Sequence, residues 1–219
     1  MRPPNGVANR PHRPVIQVLA GVNGAGKSSI GGAAVRVRGG EYFNPDEAAR
    51  QIRAEHPVLS IVEANAIAWE TGRALLERAI AERLDYTFET TLGGETITGL
   101  LHQALAAGFD VRVWFVGLAS PELHLARVRA RVRAGGHDIP EATIRARFDA
   151  SRLNLIGFLA VAAEVRVYDN SREADPRRGV APEPRLLLHT VRGKVRAHCA
   201  LSTVPEWAKP IFASVTTAA

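Results

Sequence analysis

Residues 21–28 read Gly-Val-Asn-Gly-Ala-Gly-Lys-Ser, and few eight-residue strings constrain a chain as tightly. The spacing G-x-x-x-x-G-K-[ST] is dictated by phosphate chemistry. The glycines permit a tight loop whose backbone N–H groups converge on an anion. Lys27 then reaches the β/γ-phosphates, and the Ser28 hydroxyl can ligate Mg²⁺. Both flanks fit. Val15-Ile16-Gln17-Val18-Leu19-Ala20 is short, apolar and rich in β-branched residues, the pattern of a buried parallel strand. Ser28-Ser29-Ile30 opens a helix whose positive end faces the anion. Lysine is otherwise scarce: only Lys27, Lys194 and Lys209 occur among 28 basic residues. Gly21, Asn23, Gly24, Ala25, Gly26, Lys27, Ser28 and Ser29 are therefore expected to cradle the phosphates of ATP, with Ser28 on the metal. The competing reading is a glycine-rich turn that binds nothing.

The rest of the chain predicts strands alternating with helices. Strands are expected at 15–21, 41–44, 85–91, 111–118 and 165–168. Helices are expected at about 26–37, from Pro45 to before Pro57, and over 60–84, 95–107, 121–133 and 140–163. Leu186–Thr190 and Val195–Cys199 flank Gly193 as a terminal hairpin, and Pro205-Glu206-Trp207 leads a last short helix. This pattern gives an α/β class: a P-loop NTPase fold with a five-stranded, mostly parallel sheet flanked by helices. A helical lid over about 120–152 and a small C-terminal hairpin complete it. Residues 1–14 hold four Pro and three Arg with no apolar period. They are expected to be a disordered basic tail, with the kinase-sized domain over 15–207 and a second tail over 208–219.

Composition narrows the function classes. Hydrophobic residues make up 46% of the 219, ample for a core, yet no apolar run reaches the ~20 residues of a membrane span. No apolar signal region follows the N-terminus. A single cysteine, Cys199, excludes an internal disulfide, fits a reducing cytoplasm and reads as a small buried hydrophobe. The net charge is +6, but the arginines do not form a run interleaved with aromatics. That argues against nucleic acid as the partner.

Ligands of such sheets bind beyond the carboxyl ends of the strands, where the polar residues fall: Asn23, Asn44, Asp46, Glu89, Thr91 and Asn170. A carboxylate at Asp46 can accept the proton of an acceptor hydroxyl, or it can merely cap a helix. Glu89, in an otherwise apolar strand, needs a partner: Mg²⁺ through water, a substrate hydroxyl, or an arginine such as Arg73. Arg127, Arg129, Arg131 and Arg133 precede the Gly135-Gly136 break, and Arg147 follows it. By helical spacing Arg127 and Arg131 share one face, and Arg129 and Arg133 share another. Only one face can look into the cleft; the rest are solvated. His137 can meet phosphate or be structural. Asn170 can meet adenine or ribose, or belong to an ordinary turn.

Several of these segments also carry a family likeness. Phe88-Glu89-Thr90-Thr91-Leu92, Ser120-Pro121-Glu122 leading to Arg127-Val128, Gly135-Gly136-His137-Asp138-Ile139-Pro140, Arg147, Tyr168-Asp169-Asn170-Ser171 and Pro205-Glu206-Trp207 together resemble the zeta-toxin family of P-loop kinases. The likeness runs from about Val15 to Trp207. It implies an ATP- and Mg²⁺-dependent phosphotransferase whose acceptor is a hydroxyl of UDP-N-acetylglucosamine or a related sugar nucleotide. It further implies a small antitoxin as partner. Carried over by position, it implies Asp46 as catalytic base, Glu89 as the acid of the third strand, and Arg131 and Arg147 as lid arginines beside Lys27. Asn44, Thr91 and His137 join Asp46 and Glu89 on the substrate side. In its lid the chain departs from the best-studied toxins and is nearer to zeta-like chromosomal proteins. The rival readings are a kinase for another hydroxyl, such as an antibiotic, a sugar acid or an RNA end, and an ATP-binding switch without transfer. A switch needs no acceptor base, so Asp46 separates them.

Overall fold

The computed structural model describes residues 13–32, 42–172 and 184–216. Its centre is a six-stranded sheet built from β1 (Val15–Ala20), β2 (Tyr86–Thr90), β3 (Asp110–Gly117), β4 (Glu164–Asp169), β5 (Arg185–Val191) and β6 (Lys194–His198). The spatial order is β2-β1-β3-β4-β5-β6. The first four strands are parallel, and β5 and β6 run antiparallel. Ile16 and Val18 of β1, Val111, Val113 and Phe115 of β3, and Val165 and Val167 of β4 are buried in one core, as strands covered by helices on both faces require.

The chain leaves β1 toward β2 on one side and later returns to β3 on the other. The carboxyl end of β1 is thus the point where strand order reverses, which opens a crevice between diverging connections. The phosphate loop begins there.

Among the described residues six α-helices pack around the sheet: α1 (Pro45–Glu55), α2 (Ile61–Glu82), α3 (Glu95–Ala106), α4 (Pro121–Arg133), α5 (Glu141–Phe158) and α6 (Lys209–Thr216). Helix α2 starts on a capping box between Ser60 and Glu63. It buries Ala64, Ala68, Gly72, Leu76 and Ala79, a stripe of mostly small residues at i+4 spacing that admits close neighbours. At Gly72 a Cβ would lie 2.6 Å from the Phe43 ring. Helices α4 and α5, separated by Gly135–Pro140, form a second small core of Leu125, Val128, Ile139 and Ile144 with Val22 of the loop.

Four expectations are corrected. The strand over 41–44 contracts to one bridge, Phe43 to Phe88, because Asn44 turns the chain into α1 at once. The terminal hairpin does not stand apart: β5 pairs with β4, so the sheet has six strands, not five. The segment from Ala208 onward is not a tail. Residues 209–216 form α6, and Ala208, Ile211 and Phe212 join the main core. Helix α5 ends at Phe158, short of 163. Of the expected N-terminal tail, 1–12 lies outside the described residues, as do 33–37 of the helix expected after the phosphate loop and the loop over 173–183.

Ile211 is fully buried, so Ile211→Ala should cost about 2–5 kcal/mol in urea unfolding. A true tail residue would change stability by less than about 0.5 kcal/mol.

Candidate active site

Beyond β1 the backbone must thread between three neighbours. Gly21 has φ +141, and a Cβ there would sit 2.2 Å from the Val116 carbonyl oxygen of β3. Gly26 has φ +91, and a Cβ there would meet the Asn170 amide at 2.6 Å. Only glycine fits either place. Gly24 lies beneath α4, and Ala25 is buried with its carbonyl accepting from Asn170 Nδ2 at 2.8 Å. Ser28–Gly32 is a wide helical turn, and Ser29 is exposed on its outer side.

Lys27 is 7% exposed and Glu89 8%. Their charged ends lie 3.4 Å apart. Ser28 Oγ donates to the second Glu89 oxygen at 2.8 Å, and Asn44 Nδ2 donates to Ser28 Oγ at 3.4 Å. Lys27 Nζ also lies 3.5 Å from the Val22 carbonyl. Arg73, the alternative partner for Glu89, instead pairs with Glu70 and Glu77 on its own helix. The hydroxyl and carboxylate are hard oxygen donors suited to Mg²⁺, which keeps waters and phosphate oxygens as its other ligands. The crowded glycine cradle and this oxygen pair fit a Mg²⁺-nucleotide.

Asp46 stands at the start of α1, but the cap is its neighbour: Asn44 Oδ1 accepts from the Asp46 and Glu47 N–H groups at 2.9 and 3.4 Å. The Asp46 carboxylate is left to face the lid. Its Oδ2 accepts from Arg131 Nη1 at 2.9 Å, and its Oδ1 lies 3.8 Å from His137 Nε2. Arg131 also donates to the His137 carbonyl. From α5, Arg147 Nη1 donates to Asn23 Oδ1 at 2.9 Å. Burial lowers the Arg147 pKa, and nearby Asp46 works against that shift. Arg129 and Arg133 are exposed, so the Arg127/Arg131 face is the one turned inward. Thr91 lines the cleft, with its Oγ1 accepting from Gly93 N–H. Asn170 is 4% exposed and braces the loop from behind through Ala25, while its backbone carbonyl accepts from Arg127. One cleft of about 700 Å³ collects Asn23, Lys27, Asp46, Glu89, His137 and Arg147, a volume typical of small-molecule sites.

Sequence reading missed His124. It is buried on α4 and its Nδ1 lies 2.8 Å from the Asn23 carbonyl, with Phe148 edge-on to the ring. Its signal was the i, i+4 spacing to apolar Val128, which places it on the inner face. Sequence reading also missed Ser151 and Asn154, which donate to the Thr91 and Leu92 carbonyls. They hold a loop in which buried Leu92 takes φ +56, a strained conformation of the sort that marks functional walls.

The model of the family described as Zeta toxin matches residues 5–175. The chain belongs to the zeta-toxin family. The phosphate loop and the parallel sheet agree with that family assignment. An uncharacterized protein of Haemophilus influenzae is 33% identical over 131 residues, covering 58% of this chain and 88% of the relative. Two solved structures share the fold. The AvrRxo1-ORF1:AvrRxo1-ORF2 complex with sulphate ions has TM-score 0.63 at 16% identity, covering 93% of this chain. The chain spans 64% of that solved chain's length. The PezAT chromosomal toxin-antitoxin system of Streptococcus pneumoniae has TM-score 0.53 at 16% identity, covering 78% of this chain and 74% of that one. No helix among the described residues is long and apolar enough to cross a membrane.

Burial and the charges of Lys27 and Arg127 push the His124 pKa down to about 4, against a backbone hydrogen bond that raises it. Its folded pKa lies below the unfolded ~6.5. The stability it supports is therefore whole above that value and lost as pH falls toward 4. Urea unfolding at pH 7.5 and 5 should show that loss in the wild type. His124→Asn, which keeps an N–H donor and does not titrate, should flatten it. An unchanged slope would remove His124 as the source.

Proposed function

We propose that this protein is an ATP-dependent kinase that transfers the γ-phosphoryl group to a hydroxyl of UDP-N-acetylglucosamine or a related sugar nucleotide. The observation that carries the reading is Asp46. It is relieved of capping by Asn44 and held by Arg131 in the cleft that Lys27 also lines. A solved AvrRxo1-ORF1:-ORF2 complex with ATP, of TM-score 0.62 and 16% identity, supports a nucleotide in such a fold. The family likeness supports the sugar-nucleotide acceptor.

In this reading the loop N–H groups and Lys27 hold the β- and γ-phosphates. Asp46 takes the proton of the acceptor hydroxyl as that oxygen bonds to the γ-phosphorus, and the bond to the bridging oxygen breaks to leave ADP. Arg131 and Arg147 meet the charge spread over the equatorial oxygens. Mg²⁺, held by Ser28 with Glu89 behind it, supplies further charge neutralisation when bound. The helices α4 and α5 act as a lid that excludes water. The toxin–antitoxin setting of the Streptococcus pneumoniae neighbour supports a small protein partner, and the single cysteine supports a cytoplasmic setting.

Transfer of labelled phosphate from ATP into a panel of sugar nucleotides tests the acceptor. Label in none of them, with label in another hydroxyl compound, would overturn it. Lys27→Ala should abolish both ATP binding and turnover with the fold intact. Asp46→Asn should keep ATP affinity while transfer drops ~10²–10⁴-fold, the usual worth of a general base. Loss of affinity in step with rate would make Asp46 a structural group.

The lid arginines give a separate expectation. Arg131→Ala and Arg147→Ala should lower kcat more than they raise KM for ATP. Exposed Arg129→Ala and Arg133→Ala should change little. Wild-type kinetics in all four would leave the arginines as solvated charges.

A further inference from the structure

One wall of the cleft has no part in phosphate transfer. Helix α2 turns Val62, Ala66 and Trp69 toward it, residues at i, i+4 and i+7 that share one helical face. Ile97, in the first turn of α3, also lines the cleft. Apolar side chains make up most of this wall, which α2 also lines with Asn65 and Arg73, whereas the floor holds Asp46, Glu89 and Arg147.

Trp69 is 44% exposed. The other two tryptophans have their rings covered. Trp207 is buried and packs on Phe115 at 6.3 Å between ring centroids, and the Arg166 guanidinium lies 5.5 Å from the Trp114 ring. Among the described residues no aromatic ring or cation covers Trp69. A large indole facing water inside a concave site is an offered surface, and its π-face suits a flat ring. At about 700 Å³ the cleft is sized for one small molecule, not for a protein segment.

We infer that Trp69 is the stacking platform for the base of the proposed nucleotide-linked acceptor. The inference rests on reading this cleft as a kinase's acceptor site. The hydroxyl meets Asp46 at the polar floor, and the base lies on the apolar wall. Trp69 is then a specificity-determining residue. It sets how tightly the acceptor is held and leaves the chemical step alone.

Two measurements test this. The first follows tryptophan emission of the protein saturated with Mg²⁺ and a non-hydrolysable ATP analogue, titrated with UDP, CDP, ADP and GDP. At least one should give saturable quenching that Trp69→Phe abolishes. No quenching by any of the four, or quenching that survives in Trp69→Phe, overturns the proposal. The second compares UDP-N-acetylglucosamine with N-acetylglucosamine-1-phosphate, which lacks the base. The base should raise kcat/KM by ~5–150-fold, the range expected of one stacked base. Trp69→Ala should erase that advantage through KM, leave transfer to the base-free compound unchanged, and be largely rescued by Trp69→Phe. Equal loss on both acceptors, or an undiminished base preference, overturns the platform while the kinase reading stands. Quenching without transfer to either sugar compound overturns the proposed acceptor and supports the platform.

Discussion

An ammonium and a carboxylate can leave water together only if they face each other closely and their remaining hydrogen-bonding capacity is met. Each ion otherwise forfeits several kcal/mol of hydration. Lys27 and Glu89 satisfy that condition at the centre of this molecule, with Ser28 and Asn44 extending the contact. The requirement reaches into the sheet. Glu89 lies opposite Leu19 in the β1–β2 register, so the parallel pairing of those strands carries the carboxylate to the loop. A slip of one residue would turn Glu89 to the opposite face. The phosphate loop therefore depends on a strand sixty residues downstream, and it presents a lysine whose desolvation is already complete before a phosphate arrives.

From that pair the rest of the site is tied in through Asn23. Its backbone carbonyl accepts from His124 on α4, and its side chain accepts from Arg147 on α5. Helices α4 and α5 are thus both joined to one loop residue, while Arg131 reaches across to Asp46. The apolar contacts of Val22 with Leu125, Val128, Ile139 and Ile144 run parallel to these polar ones. The loop and the two helices are therefore joined by packed side chains and by hydrogen bonds together.

What could be read from the chain depended on how local its causes were. The phosphate loop is legible because its chemistry lies within eight consecutive residues. The lid break is legible because Gly135, Gly136 and Pro140 are punctuators in their own right. Helical spacing sorted the α4 arginines into two faces, but only the contact of Arg131 with Asp46 shows which of them turns inward. The 41–44 strand was misjudged because β-propensity says nothing about how few residues remain before Asn44 caps a helix. A last short helix was expected, but its burial was not, because that depends on a distant gap: at Gly117 a Cβ would lie 2.3 Å from Trp207, and no local pattern near residue 207 announces that space. His124 and Trp69 were missed for one reason. Helical spacing can place a histidine or an aromatic on the inner face, but what that face meets, the Asn23 carbonyl for His124 and the open cleft for Trp69, is set by distant parts of the chain.

The two margins of the sheet have different fates. At one margin β2 is met by the Phe43 bridge, in which Phe43 N–H donates to Thr87 and Glu89 N–H donates to Phe43, both at 2.9 Å. At the other, β6 is exposed along its whole length, and among the described residues no further strand pairs with it. It carries Lys194, Arg196 and His198 at alternate positions. An incoming strand would have to bring basic charge against its own side chains and strip water from it, the device by which native edges resist sheet-to-sheet aggregation. Three of the chain's basic or titratable side chains thus stand on the margin where a further strand would add.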